Sequence, residues 1–214
     1  MITLYTYWRS STSYRARIML NWKGLAYRPE YVSLPRFVHR SASFLELNPQ
    51  GLVPAVVDGD FELAQSMAIF EYLEERYPSP PLLPRDDRRR AYARMLANIV
   101  ACDIHPLNNV RVLRYLEERL ALDQAARNEW YATWIAAGLQ AFEASLEHWG
   151  LDGDYCCGDE PSIADVCLVP QLYNAHRFGC DTRPYPRLYA IARRCEALEP
   201  FAAAHPSTQA DAAP

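Results

Sequence analysis

The chain has 214 residues and a formal net charge of −4, so it is long enough to bury the core of one large domain or of two small ones. Its nearly balanced charge, with arginines dispersed along the chain, excludes the basic stripe of a nucleic-acid-binding protein. All apolar runs fall short of the roughly 20 residues that cross a bilayer, which excludes a membrane-spanning protein.

The six cysteines point to reduced thiols in the cytoplasm. No CxxC pair or flanking histidine accompanies them, so the sequence predicts no metal site. We therefore expect a soluble cytoplasmic protein that binds neither nucleic acid nor membrane, and in which local arginines meet any anionic ligand.

The first 80 residues alternate between strand and helix patterns. The predicted elements are strand 2–6, helix 12–23, strand 27–34, hairpin 52–63 and helix 66–77, with a short helix before the hairpin. Ile18, Met19 and Trp22 give the first helix its apolar stripe, and Asp58-Gly59 is typical of a hairpin turn. This order, β-α-β-(α)-β-β-α, predicts a small α/β domain at 1–80.

The composition changes after this domain. The stretch YPSPPLLPRDD is rich in proline, which removes amide donors and favours an extended chain, so we place a linker at 81–87. Helix formers then predominate, and the predicted helices are 88–120, 123–149, 163–178 and 188–198. Ser162 and Asp165 form the capping-box pattern before the third of these helices. We expect an all-helical domain at 88–214 that ends in a frayed tail, PSTQADAAP.

Hydroxyl side chains crowd the start of the first predicted helix. Ser10, Ser11 and Thr12 lie where free backbone amides and the positive end of the helix dipole favour an anion. Ordinary helix capping is the structural alternative for each of them.

Six segments along nearly the whole chain carry a family resemblance. They are, in order, RSSTSYRARIML, ELNPQGLVPAVVDGD, QSMAIFEYLEERYPSPPLLPRD, DIHPLNNVRVLRYLEE, GDEPSIADVCLVPQLYNA and RPYPRL. Together they resemble the zeta class of the glutathione transferases, with Thr12 where that class usually has a cysteine. The resemblance implies a thioredoxin-like N-terminal domain joined to an all-helical C-terminal domain, in a homodimer.

The same resemblance implies a glutathione-dependent cis–trans isomerase. The best-known substrates of the class are maleylpyruvate and maleylacetoacetate, and His105 and Asn109 are more similar to the maleylpyruvate isomerases. We therefore expect conversion of maleylpyruvate to fumarylpyruvate by reversible thiolate addition, with glutathione as an unconsumed cofactor. The alternatives are maleylacetoacetate isomerisation, a broader transferase or dehalogenase activity, and a non-catalytic glutathione-binding module.

The resemblance assigns Ser10 as the chief hydrogen-bond donor to the glutathione thiolate, with help from Thr12. A helix dipole contributes about 0.3–1 kcal/mol, which is less than the roughly 1.4 kcal/mol of one pKa unit. A hydrogen bond to a charged group contributes about 1.5–3 kcal/mol, so the hydroxyl has to supply the larger share.

The remaining glutathione contacts are implied by the resemblance. Gln65 and Ser66 open a helix whose amides would hold the γ-glutamyl carboxylate, and Val53 would pair its backbone with the cysteinyl unit. The Val53-Pro54 bond fits either a cis bond or an ordinary trans turn. Further candidates for binding glutathione are Ser11, His39, Asp103, His105 and Asn109. The structural alternatives are a surface amide for Gln65, an exposed helix residue for His39 and a hydrogen-bonded structural histidine for His105.

Arg9, Arg111 and Arg177 are the candidates for binding substrate. A maleyl compound carries two carboxylates, and a planar guanidinium suits such anions better than a lysine does. A solvated helix face is the alternative for Arg111 and Arg177. We interpret Arg15 and Arg17 as helix-surface or salt-bridge residues, and Cys102 as a buried structural thiol.

Overall fold

The computed structural model describes residues 1–151 and 153–212. These residues divide into two compact units: the first joins Met1–Pro81 to the residues from Ala197 on, and the second is Leu82–Glu196. The first unit thus includes a C-terminal segment that the sequence places in the helical domain.

The first unit contains a four-stranded mixed sheet together with helices. Its elements up to residue 76 are β1 (Ile2–Thr6), α1 (Ser11–Trp22), β2 (Tyr27–Tyr31), a 3-10 turn (Val38–Arg40), α2 (Ala42–Leu47), β3 (Ala55–Asp58), β4 (Phe61–Ala64) and α3 (Ser66–Arg76). The strands lie in the order β2-β1-β3-β4, with β1 parallel to β2 and antiparallel to β3. The predicted hairpin is β3 and β4, with Gly59 at φ +67° in its turn. The predicted α/β fold is therefore confirmed.

The second unit is built from helices, as predicted. They are α4 (Asp87–Asn98), α5 (Val110–Glu118), α6 (Gln124–Trp149), α7 (Ile163–Arg177) and α8 (Pro186–Glu196), with a π-helical turn (Ile99–Ile104) directly after α4. The capping box of Ser162 and Asp165 is confirmed at the start of α7. No helix in the described ranges is both long enough and apolar enough to cross a lipid bilayer.

The prediction of one continuous helix over 88–120 is wrong. The regular helix already ends at Asn98, and Pro106, which has no amide hydrogen and whose ring crowds the preceding turn, disfavours its continuation after the π-helical turn. Asn109 then starts α5 as its N-cap, because its side chain accepts the Arg111 amide hydrogen at 3.1 Å. The chain is therefore broken between the π-helical turn and α5.

The C-terminal segment is ordered against α1, so the prediction of a frayed tail is wrong for 206–212. It forms α9 (Glu199–Ala204), which packs on α1, and a 3-10 turn (Pro206–Thr208). The Asn21 side chain donates to the Pro200 carbonyl at 3.1 Å, and the Trp8 amide donates to the Asp211 carboxylate at 3.0 Å. Residues 213–214 of the predicted tail lie outside the described residues.

Candidate functional site

Ser10 is the N-cap of α1, and its hydroxyl belongs to a chain of hydrogen bonds. Its Oγ accepts the Ser13 amide hydrogen at 3.2 Å and lies 2.9 Å from Thr12 Oγ1. Thr12 donates its own hydroxyl hydrogen to the Val53 carbonyl at 2.9 Å. Because Thr12 has only that one hydrogen to donate, Ser10 is the donor in the bond between the two hydroxyls.

The Ser10 hydrogen is therefore the one that an anion at the start of α1 attracts. Thr12 Oγ1 is a neutral acceptor, and a charged acceptor forms a hydrogen bond roughly twice as strong. Ser11 is buried in the first turn, where backbone amides have no partner within the helix. The structure thus brings Ser10, Thr12 and Val53 together. Ser10 is the available donor, and Thr12 acts as a tether because it hydrogen-bonds both the Ser10 hydroxyl and the Val53 carbonyl.

Val53 and His39 are both buried. Val53 packs in a cluster with Val32 and Phe44, and the Val53-Pro54 bond is cis. His39 lies in the 3-10 turn at 7% exposure, with its ring stacked on Phe37, so the alternative of an exposed helix residue is wrong for it. The Val53 carbonyl keeps a second lone pair beside its bond from Thr12.

A second helix amino terminus in this unit is formed by Gln65 and Ser66. Gln65 is the N-cap of α3 with φ +72° and ψ 115°, and a positive φ is uncommon for a residue with a Cβ. Its side-chain amide donates to the Gln50 Oε1 at 2.6 Å. Ser66 is buried in the first turn of α3, and the first amides of a helix favour an anion.

Arg15 of α1 lies beside Ser66, and its interpretation as a surface or salt-bridge residue is wrong. The side chain is 1% exposed, and Nη1 donates to Ser66 Oγ at 3.4 Å. Its Nε and Nη2 atoms have no hydrogen-bond partner among the described residues. The signal in the sequence was its spacing, since Arg15 precedes Ile18 and Met19 by three and four residues and so shares their buried stripe.

Arg17 is fully buried, which also corrects its interpretation as a surface or salt-bridge residue. Its guanidinium donates to Thr6 Oγ1 at 3.1 Å, to the Trp8 carbonyl at 3.0 Å and to the Ala204 carbonyl at 3.0 Å. Desolvation lowers the pKa of Arg17 to about 10, and Tyr27 opposes that shift. Arg17 therefore fixes the loop before Ser10 to the C-terminal segment.

Arg9 lies in that loop between two aromatic side chains. Its guanidinium carbon is 4.8 Å from the centroid of the Trp8 ring, and Nη2 donates to the Tyr7 hydroxyl at 3.3 Å. The Nε atom of Arg9 is buried and has no hydrogen-bond partner in the described part of the chain. Arg9 directly precedes Ser10 in the chain, and its Nε hydrogen is the donor that an anion would accept.

In the second unit, four candidates follow one another through the break between α4 and α5. Asp103 is exposed on the π-helical turn, His105 is half-buried just after it, and Arg111 is exposed in the first turn of α5. Asn109 caps α5, so it has a structural role whatever it binds. Cys102 is exposed on the same turn, and its interpretation as a buried thiol is wrong.

Tyr131, which the sequence did not single out, connects this break to the end of α7. The Asn108 amide donates to the Tyr131 carbonyl at 3.3 Å, and the Tyr131 hydroxyl donates to Asn174 of α7. The Tyr131 ring stacks on Phe178 at 3.8 Å, and the Arg177 guanidinium lies 4.5 Å from the centre of the Phe178 ring. Burial raises the pKa of Tyr131, so its hydroxyl stays protonated as a donor.

Comparisons with known proteins agree with this geometry. Family models match residues 4–81 as "Glutathione S-transferase, N-terminal domain" and residues 110–203 as "Glutathione S-transferase, C-terminal domain". The maleylpyruvate isomerase of Ralstonia sp. is 49% identical over 210 residues, which cover 98% of this chain and 99% of that protein.

Two solved structures share the whole fold. The holo structure of a maleylpyruvate isomerase, described as a bacterial glutathione S-transferase of the zeta class, has a TM-score of 0.96 at 48% identity and covers 99% of this chain and 100% of that one. A maleylacetoacetate isomerase from Methylobacterium extorquens AM1 with bound malonate and GSH has a TM-score of 0.96 at 41% identity, with the same coverage of 99% and 100%. With these identities over nearly the full length, the chain belongs to the zeta class of the glutathione S-transferase family.

Proposed function

We propose that this protein is a glutathione-dependent cis–trans isomerase that converts maleylpyruvate to fumarylpyruvate. The observation that carries the proposal is the hydroxyl of Ser10 at the amino end of α1, with its hydrogen directed by the Thr12 tether. The likeness to the isomerases of Ralstonia sp. and Methylobacterium extorquens supports the same reaction class.

The residues of the first unit fit glutathione as a cofactor. When bound, glutathione supplies a thiolate whose reversible addition to the conjugated double bond lets that bond rotate. Ser10 holds this thiolate in its charged form by donating a hydrogen bond, and the first amides of α1 add the helix dipole. Gln65 and Ser66 bind the γ-glutamyl end at the start of α3, while the Val53 backbone pairs with the cysteinyl unit.

Other candidates complete the cofactor contacts and hold the substrate. Ser11, His39, Asp103, His105 and Asn109 are the further residues proposed to contact glutathione. Arg9, Arg111 and Arg177 bind the carboxylates of the substrate and stabilise the negative charge that develops on its carbonyl oxygen. The stack of Arg177 on Phe178 supports this role, because it holds the guanidinium in a fixed place beside Tyr131.

The test is the rate of maleylpyruvate conversion by the purified protein, with and without glutathione, beside maleylacetoacetate in the same buffer. We expect turnover that requires glutathione, returns it unconsumed and prefers maleylpyruvate. If neither acid reacts while glutathione still binds, the protein is a transferase, a dehalogenase or a glutathione-binding module instead.

Maleylacetoacetate is the second candidate substrate. It is favoured by the likeness to the Methylobacterium extorquens protein, whose structure contains malonate, a dicarboxylate, together with GSH. The two acids share the cis double bond and both carboxylates, so the same arginines serve either one. A higher kcat/KM for maleylacetoacetate in the assay above would decide for this candidate.

We also propose that the protein works as a homodimer in the cytoplasm, the state that the family resemblance implies. The free thiols of all six cysteines are compatible with a reducing compartment. Light scattering on the purified protein tests the assembly, with a mass twice that of one chain as the expected result.

A further inference from the structure

Arg15 presents an unusual combination of burial and incomplete hydrogen bonding. Only 1% of the residue is exposed, yet Nε and Nη2 have no hydrogen-bond partner among the described residues. An ionised guanidinium without a partner is costly to bury, whereas leucine or methionine would fill the same position on the α1 stripe without that cost. Packing alone therefore does not account for an arginine at this position.

The hydrogen bond that Arg15 makes among the described residues shows which group its guanidinium faces. Nη1 donates to Ser66 Oγ at 3.4 Å, in the first turn of the 11-residue helix α3. Because a guanidinium only donates, the Ser66 oxygen is the acceptor in this bond, and the Ser66 hydrogen is left for another group. The first amides of α3 also donate without a partner inside the helix. Charge, hydroxyl and amides thus all favour one anion at this point.

We propose that Arg15 is the counter-charge for the α-carboxylate at the γ-glutamyl end of the bound ligand, and that it makes the protein select thiols carrying this carboxylate. The proposal rests on the proposed function for its ligand, glutathione. Arg15 acts through Ser66: its hydrogen bond leaves the Ser66 hydroxyl as a donor, and its full positive charge adds to the partial positive charge at the start of α3. Binding of the carboxylate then offsets the cost of the buried guanidinium.

The test compares two ligands on matched variants by calorimetric titration. The ligands are glutathione and γ-aminobutyryl-cysteinylglycine, which differs only in lacking the α-carboxylate. In the unchanged protein we expect the analogue to bind more weakly. Arg15→Met, which keeps the length of the side chain but removes its charge, is expected to weaken glutathione about 10- to 100-fold and the analogue less than about twofold.

Arg17→Met is the matched control, because Arg17 is equally buried in the same helix but donates to Thr6, Trp8 and Ala204 instead. We expect it to weaken both ligands by the same factor. If Arg15→Met does not fold, Arg15→Lys takes its place. We then expect a smaller loss of affinity that is confined to glutathione, because lysine keeps the charge but not the planar guanidinium with its several donors.

Equal losses for both ligands in an Arg15 variant would overturn the proposal while leaving the glutathione-dependent function intact. Absence of glutathione binding to the unchanged protein would overturn the proposed function as well, so the two failures are distinguishable.

Discussion

At the scale of single residues, Ser10 combines two roles that a substitution separates. As an N-cap it stabilises α1, and in the role proposed for it, it stabilises a thiolate by donating a hydrogen bond. Replacing an N-cap serine by alanine costs about 0.5–2 kcal/mol, whereas glycine costs only a few tenths. We expect Ser10→Gly to lower kcat about 10²–10³-fold, as the loss of one preorganised donor does, with nearly unchanged stability. Maleylpyruvate turnover and chemical denaturation measure the two effects.

Ser10→Ala is the companion variant, with the same loss of kcat but a larger loss of stability. If Ser10→Gly kept its turnover while Ser10→Ala lost both, the hydroxyl would be only a cap. Thiolate absorbance of bound glutathione gives an independent readout. If Ser10 donates a hydrogen bond to the sulfur, removing its hydroxyl raises the pKa of the glutathione thiol, whereas removing a residue that is only a helix cap does not.

The positions of candidate site residues in the fold could be predicted from the sequence where a local pattern and a family motif coincide. Ser10, Ser66 and the hairpin before α3 follow from turn and capping residues that act over a few positions. Arg15 and Arg17 could not be predicted, because a charged residue on an apolar stripe contradicts the pattern, and its partners lie far away in the chain. The positive φ of Gln65 could not be predicted either, because glutamine has no preference for it.

At the scale of elements, the turn before α7 buries thiols that make stability depend on alkaline pH. Desolvation, together with the charge of Asp165, raises the pKa of Cys157 from 9.0 to about 12. The folded form therefore keeps a proton that the unfolded form loses, so the free energy of unfolding is unaffected below about pH 9 and falls as the pH rises toward 12. Each such thiol adds about 1.4 kcal/mol per pH unit to this fall.

Cys157→Ala is expected to make the free energy of unfolding fall less steeply between pH 9 and 11, because one such contribution to the slope is removed. Denaturant unfolding at several pH values measures this slope. Cys102→Ala is the control, because it removes an exposed thiol instead of a buried one. Equal slopes in all three proteins would contradict the assignment.

The break between α4 and α5 shows what element prediction misses. Residues 88–120 are strong helix formers on average, and Pro106 and Asn109 are a small part of that window. Together they favour a break, because the proline removes an amide hydrogen and the asparagine side chain caps the start of a new helix. The resulting break carries several candidate residues of the second unit, so local geometry here outweighs average propensity.

At the scale of the whole molecule, the C-terminal segment stabilises the first unit rather than the second. Phe201 is fully buried, with its ring 6.4 Å from that of Trp22 in α1. We expect Phe201→Ala to destabilise this unit by about 3–5 kcal/mol, the usual cost of emptying such a site. Hydrogen exchange of the α1 amides measures the change, since it reports on the first unit alone.

The matched control is Phe61→Ala, in which an exposed phenylalanine of the same unit loses only its stack on Tyr72. We expect that change to lower the stability of the first unit by only about 1 kcal/mol. Unchanged α1 protection in Phe201→Ala would show that the segment contributes nothing to the unit it covers.

The return of residues 197–212 to α1 has a consequence for how the protein is made. A ribosome adds about 5–20 residues per second, so the 115 residues of Leu82–Glu196 separate the two parts of the first unit by roughly ten seconds. During that time the nascent chain exposes the α1 surface that later holds Phe201, and the Trp8 loop lacks its partner, Asp211. The first part of this unit therefore emerges before the second unit, and the unit can be completed only after the second unit has been made.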